Sequence, residues 1–313
     1  QVIDFFKKKT DLKKSQYTRP IRKNIIYPDL LDVRGQFQAK RAMTISAAGS
    51  HNLLMIGSPG VGKSMLSKRF PGILPKMNER ESIETTRVFS VAGKLDSQNQ
   101  LISERPFRAP HHTISDIALF GGGQTPMPGE ISLSNNGVLF LDELLEFKKS
   151  VLQVLRQPLE EGKVNISRAK YQLEYPAKFI LISAMNPCPC GFLGHPKKKC
   201  TCTNTMIKKY QQKLSGPLLD RIDIQIHIPP VDLYKDFHQK DNLSSNDILQ
   251  KVSNTRTIQK DRFKNISINY NSEMENKEIR DFCKINDKDQ EWLNNILSKL
   301  NYSARSYIKI LKL

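Results

Sequence analysis

Eight consecutive residues, Gly57-Ser58-Pro59-Gly60-Val61-Gly62-Lys63-Ser64, fit the pattern G-x-x-x-x-G-K-[ST]. They follow an apolar run, Leu53 to Ile56, and precede a helical start. A strand, a glycine turn and a helix in that order make a cradle. Its backbone N–H groups curl around phosphates, and the helix N-terminus adds a positive dipole. Lys63 is expected to reach the β and γ phosphates of ATP, and Ser64 to offer its hydroxyl to Mg²⁺. All eight residues, Gly57, Ser58, Pro59, Gly60, Val61, Gly62, Lys63 and Ser64, are nucleotide-binding candidates.

The chemistry beyond the phosphates lies on two further buried strands. Val138-Leu139-Phe140-Leu141 ends in Asp142-Glu143 about 80 residues after the loop. Asp142 suits the Mg²⁺ shell and Glu143 suits polarising the attacking water, because phosphoryl transfer rests on positioning and charge stabilisation. Phe179 to Met185 delivers Asn186 at its carboxyl end, where ligands bind in open α/β sheets. Asn186 is expected to orient water near the γ phosphate; a turn-forming Asn before Pro187 is the alternative.

Short apolar runs alternating with amphipathic stretches from about Ile25 to Pro230 predict an α/β domain with a parallel central sheet flanked by helices. Lys148 to Leu159 reads as one helix stopped by Gly162, followed by a hairpin, Val164 to Ser167 and Tyr171 to Tyr175, with Arg168-Ala169-Lys170 at its tip. Past Pro229-Pro230 the chain turns polar and reads as a small helical domain. Trp292, Leu293, Ile296, Leu297 and Leu300 mark one apolar face there.

Three stretches carry a family resemblance: Phe107-Arg108-Ala109-Pro110-His111-His112-Thr113, Pro128-Gly129-Glu130-Ile131-Ser132-Leu133 and Ser215-Gly216-Pro217-Leu218-Leu219-Asp220-Arg221-Ile222-Asp223. With the phosphate motifs they cover most of residues 29 to 232, and the chain resembles AAA+ ATPases of the ComM/YifB group, whose core is also called the magnesium-chelatase ChlI-like domain. The resemblance implies an ASCE-type P-loop fold with a small α-helical lid. It implies a homo-oligomeric, hexameric ring whose ATP sites are completed by neighbours, and branch migration of DNA in recombination during natural transformation. Arg221 resembles an arginine finger supplied in trans; its alternative is an ion pair with Asp220 or Asp223. Arg305 resembles the sensor 2 arginine of the lid. Hairpin 163–176 falls where members of this clade carry a pore-facing hairpin, so Arg168 and Lys170 are the DNA-binding candidates. Residues 120 to 131 match a second insertion loop. His111-His112 belong to the pattern, as a structural pair or as part of the catalytic machinery.

The resemblance also sets the expected organisation: 1–24, a basic linker ending a missing Lon-like domain; 25–235, the ATPase core; and 236–313, a partial lid truncated at its end. Leu145 replaces an expected proline, a departure without evident consequence.

Cys188-Pro189-Cys190 and Cys200-Thr201-Cys202 put four thiols into loop 188–202. Four sulfurs in a loop with little apolar content suit a structural Zn²⁺; free thiols and redox disulfides are the alternatives, and His195 could replace one thiol. Lys197-Lys198-Lys199 lie inside that loop.

The charge balance bears on partners. Lys plus Arg number 49 against 31 Asp plus Glu in 313 residues, a formal net charge of +18, which suits contact with DNA. No apolar run approaches the roughly 20 residues that span a bilayer, which excludes a membrane helix. The chain begins with Gln and shows no secretory segment, so a cytoplasmic fragment is expected. A magnesium-chelatase-type ATPase subunit, or another protein-remodelling ATPase, is the alternative function, since the phosphate motifs are common to both.

Overall fold

The structure is a computed structural model that describes residues 26–95, 101–123, 125–168, 171–230, 243–300 and 303–313. The basic segment 1–24 and Lys170 lie outside the described residues.

The strands are β1 (Leu53–Gly57), β2 (Phe107–Arg108), β3 (Gly121–Gly122), β4 (Met127–Pro128), β5 (Val138–Leu141), β6 (Lys163–Arg168), β7 (Tyr171–Pro176), β8 (Ile180–Met185) and β9 (Ile224–Ile228). Five of them form a parallel sheet in the order β2-β5-β8-β1-β9. The strand carrying Asp142 is therefore separated from the phosphate-loop strand by β8, and all three end at the same edge.

Side chains on a strand alternate between faces, so a sheet covered on both sides divides each apolar run between two cores. Leu53, Met55, Val138, Phe140, Ile180 and Ile182 enter one core, while Leu54, Leu139, Leu141 and Leu181 enter the other. This is why these runs are continuously apolar rather than alternating. Strand β9 differs: at the sheet edge its residues alternate between partly buried and exposed up to Ile228. Its weak apolar signal hides it in the sequence.

The helices of the α/β domain are α1 (Phe37–Gly49), α2 (Lys63–Arg69), α3 (Glu79–Val91), α4 (Asp116–Phe120), α5 (Glu130–Leu133), α6 (Lys149–Val154), α7 (Arg156–Glu161), α8 (Asn204–Gln211) and α9 (Gly216–Leu219). The single helix expected over 148–159 is broken at Leu155 into α6 and α7. Pro158 explains the break, because it has no N–H to donate to the carbonyl four residues back.

Hairpin β6–β7 pairs Val164 with Tyr175 and Arg168 with Tyr171. It lies against the small hairpin β3–β4: the Tyr175 hydroxyl donates to the Pro126 carbonyl at 3.0 Å. The 163–176 hairpin and the 120–131 insertion thus share one side of the domain.

Helices α10 (Ser245–Arg262), α11 (Asn276–Phe282), α12 (Asp287–Lys299) and α13 (Ala304–Lys312) form the C-terminal region. A capping box between Ser244 and Asp247 starts α10, whose Ile248 and Val252 enter the core beneath α1. Farther along, the Arg256 guanidinium donates to the Ala47 carbonyl at 2.7 and 3.0 Å, and Gln259 donates to the Ala48 carbonyl at 3.0 Å. Both satisfy last-turn carbonyls of α1, which have no partner within their own helix. Phe263, Met274 and Ile279 make a separate small core. The apolar face expected on α12 is only partly covered: Leu297 is buried, but Trp292 and Leu300 are exposed.

Candidate ATP site

The phosphate loop rises from the carboxyl end of β1 against its neighbour β9. A Cβ added to Gly57 would lie 2.6 Å from the Ile228 carbonyl oxygen, so close strand approach requires glycine at the first position of the motif. The buried Lys63 side chain folds over the loop, and its Nζ donates to the carbonyls of Gly57 (2.5 Å) and Ser58 (3.0 Å) and to Asn186 Oδ1 (3.2 Å). Burial pushes the Lys63 ammonium below its usual range, opposed by the carboxylates of Asp142 and Glu143.

The Ser64 hydroxyl donates to Asp142 Oδ2 at 2.5 Å, and the other carboxylate oxygen accepts the Glu143 N–H at 3.0 Å. Lys63 is thus in contact with Asn186, and its neighbour Ser64 with Asp142. The donor set fits a nucleoside triphosphate with Mg²⁺. The lysine's present partners are neutral oxygens, weaker acceptors than a phosphate, and hydroxyl plus carboxylate are hard oxygen ligands.

Glu143 follows β5 in a left-handed conformation, φ +51°, with its carboxylate half exposed. It reaches His112 Nδ1 at 3.3 Å. The His112 ring is held edge-on to Phe147 and against His111, whose Nδ1 meets the Thr113 hydroxyl at 2.9 Å. The histidine pair therefore adjoins the acidic end of the site, a contact that no sequence spacing reveals. A second residue missed from sequence is Gln36, also left-handed at φ +58°, whose Nε2 donates to the Pro229 carbonyl at 2.9 Å and to Val61 of the phosphate loop at 3.5 Å. A lone Gln outside any spacing rule carries no signal.

Two of the resembling stretches meet through a bidentate pair: Arg108 donates to both oxygens of Glu130, at 2.5 and 2.8 Å. Burial works to raise the Glu130 carboxyl, but Arg108 and then Lys94 together hold the group below the usual range.

Arg221 lies elsewhere. It precedes the first residue of β9, and its backbone carbonyl accepts from Asn52 at the start of β1. It is therefore at the amino edge of a parallel sheet whose carboxyl edge carries Lys63, about 16 Å away along a five-residue strand. Its guanidinium pairs with Glu160 of α7, not with Asp220 or Asp223. Asp220 is taken instead by Arg305, at 2.8 Å, and Asp223 by His51, at 3.3 Å. Lys309 of α13 donates to the carbonyls of Leu219 and Ile222 at 3.2 and 2.9 Å, which docks the last helix at this edge. The structure thus brings Arg305 beside Arg221, and brings neither to the phosphate loop. Arg168 ends β6, in register with Tyr171.

The four cysteines of loop 188–202 converge, with all four sulfurs within 4.8 Å of one another. Three of the separations, Cys188–Cys190, Cys188–Cys200 and Cys190–Cys200, are 3.4, 3.7 and 3.5 Å. Tetrahedral zinc thiolates require about 3.8 Å between sulfurs. Backbone N–H groups of Phe192 and Thr201 pull the Cys190 thiol down to about 5. His195 is not in the cluster; its Nδ1 accepts from the backbone N–H groups of Lys197 and Lys198, both at 3.0 Å.

No helix among the described residues is long and apolar enough to cross a membrane. The family of the magnesium chelatase subunit ChlI matches residues 29–235, and its C-terminal counterpart matches 242–313. Competence protein ComM of Haemophilus influenzae is 47% identical over 287 residues, covering 91% of this chain and 55% of that protein. YifB of Escherichia coli is 43% identical over 287 residues, with the same coverage of 91% and 55%. The magnesium-chelatase 67 kDa subunit of Heliobacterium mobile is 23% identical over 259 residues, 73% of this chain and 38% of that one. The chain spans about half the length of ComM and YifB. With both segments of the fold matched and the phosphate loop inside the first, the chain belongs to the ComM/YifB family of AAA+ ATPases, built on the magnesium-chelatase ChlI domain.

Proposed function

We propose that this chain is the engine of a homo-oligomeric, hexameric ring that hydrolyses ATP to move DNA, in the manner of a ComM-type branch-migration helicase during natural transformation. The observation that carries the reading is the separation of Lys63 from Arg221 across the sheet: one edge carries the phosphate loop, and the other an arginine that the same chain's loop does not meet.

In this account Lys63 offsets charge on the β and γ phosphates, and Glu143 polarises the attacking water with Asn186 orienting it. Mg²⁺, held by Ser64 and Asp142, neutralises charge on the phosphate oxygens when bound. Arg221 of one subunit enters the next subunit's site, leaving Glu160, and Arg305 acts from the same edge. DNA contacts come from Arg168 and Lys170 of the 163–176 hairpin, supported by the 120–131 insertion beside it. Four thiolates of loop 188–202 hold a structural Zn²⁺.

The likeness to ComM, at 47% identity against 23% for a chelatase subunit, favours the DNA reading over a chelatase one. The test is steady-state ATP hydrolysis with and without branched DNA in a salt series. The expected result is stimulation that fades as salt rises, and a salt slope of binding that falls by about one in Lys170→Ala. Hydrolysis indifferent to every DNA form at low salt supports the chelatase or protein-remodelling alternative.

A further inference from the structure

The four-cysteine loop begins at the ATP site and returns to it. Asn186, whose amide oxygen accepts from Lys63, lies two residues before Cys188. Three residues after Cys188, the buried Gly191 packs on the phosphate loop. A Cβ added there would lie 2.5 Å from Pro59 Cδ, 2.8 Å from Pro59 Cγ and 3.8 Å from Asn186 Cγ. The backbone at Gly191 has φ +82°, a conformation that side chains disfavour, so the position is closed to other residues on two counts.

The turn that places Gly191 is also the turn that gathers the sulfurs. The Gly191 N–H donates to the Cys188 carbonyl at 2.9 Å, the Leu193 N–H to Cys188 Sγ at 3.3 Å, and the Cys190 N–H to Cys202 Sγ at 3.4 Å. Such N–H to sulfur bonds orient thiolates in the way that outer groups orient metal ligands. The far side is clamped by α8, where Gln211 donates to the Pro187 carbonyl at 3.0 Å. Four thiolates at these distances would repel one another without a cation to bind them, and the turn that gathers the sulfurs is the one that packs on Pro59.

We propose that the metal-knotted loop 188–202 is a positioning element of the ATP site: with four thiolates on one Zn²⁺, Gly191 braces Pro59 while Asn186 is held against Lys63. The inference rests on the zinc reading above. Phosphate-loop N–H groups must point at the phosphates within tenths of an ångström, so freeing the brace weakens nucleotide binding. Linkage then requires the reverse: bound nucleotide tightens zinc by the same factor.

The experiment measures zinc content, ADP affinity by fluorescent-ADP titration, and zinc affinity by competition with a chromogenic chelator with and without ADP. It uses wild-type protein, wild type stripped of zinc, and Gly191→Ala. Circular dichroism reports whether the sheet core remains folded, and Pro59→Ala, which removes the brace from the other side without backbone strain, replaces Gly191→Ala should that variant not fold. The expected result is one zinc per wild-type chain, ADP binding about tenfold weaker after stripping, and zinc binding tightened about tenfold by ADP. Zinc stripping weakens ADP while the sheet core stays folded, and ADP tightens zinc in turn, which a purely structural zinc would not do; either variant weakens ADP with its zinc retained because it disturbs the Gly191–Pro59 contact itself. One zinc per wild-type chain, with ADP affinity in stripped protein within twofold of wild type, overturns the coupling alone. Absence of stoichiometric zinc overturns the zinc reading, and the coupling with it.

Discussion

At the scale of single residues, the proposed function separates groups that bind nucleotide from groups that act on water. Lys63 belongs to the first set, so Lys63→Ala is expected to weaken ATP binding severely. Glu143 belongs to the second, so Glu143→Gln should bind ATP as wild type does while kcat falls about 10² to 10⁴-fold. Single-turnover hydrolysis beside nucleotide titration separates the two. His112 holds the Glu143 carboxylate at 3.3 Å. Its replacement by Ala should lower kcat about three- to tenfold with ATP affinity unchanged, since only the orientation of a water-directing group is lost. A weakened affinity with preserved kcat would place His112 on the binding side instead. The contacts of Lys63 with Asn186 and of Ser64 with Asp142 join residues that were legible in the sequence, because phosphate chemistry fixes both residue type and spacing. His112 and Gln36 were not, because their partners are brought up by the fold from 31 and 25 positions away.

At the scale of elements, the buried strands β1, β5 and β8 announce themselves as continuous apolar runs because each faces two cores. Strand β9 and the two-residue β2 lie at the sheet edges and carry too little apolar pattern to be read. The helix break at Leu155 could have been foreseen from Pro158, whose effect on the preceding turn outweighs the helical spacing of Val151, Leu152 and Leu155. The joint between the two regions was invisible in sequence, because it consists of polar side chains reaching carbonyls. Arg256 donates twice to Ala47 and packs at 4.6 Å over the Tyr270 ring, and burial pushes its guanidinium down to about 10. Arg256→Met preserves much of the volume but leaves the Ala47 carbonyl without its partner. The expected cost is about 1 to 3 kcal/mol, read from chemical denaturation, with the C-terminal helices becoming protease-sensitive before the sheet domain. An unchanged midpoint would mean that the apolar contacts of Ile248 and Val252 alone hold α10 in place.

At the scale of the whole molecule, a basic chain presents its phosphate loop at one edge of the sheet and Arg221 and Arg305 at the other. Arg221, in a salt bridge with Glu160, and Arg305, with Asp220, lie at a surface away from the phosphate loop. Such head-to-tail complementarity closes into a ring when the rotation between subunits permits. The central claim is that ATP is hydrolysed between subunits, and mixing two inactive variants tests it directly. Glu143→Gln lacks the water-directing carboxylate but keeps a wild-type Arg221, and Arg221→Ala has the opposite defect. Each alone should be inactive. Mixed in equal amounts before assembly, they should regain about a quarter of the wild-type ATPase rate, the fraction of interfaces that random assembly makes intact. Recovery at that level supports a shared site, whereas a mixture as inactive as its components, or full activity in Arg221→Ala alone, would contradict it.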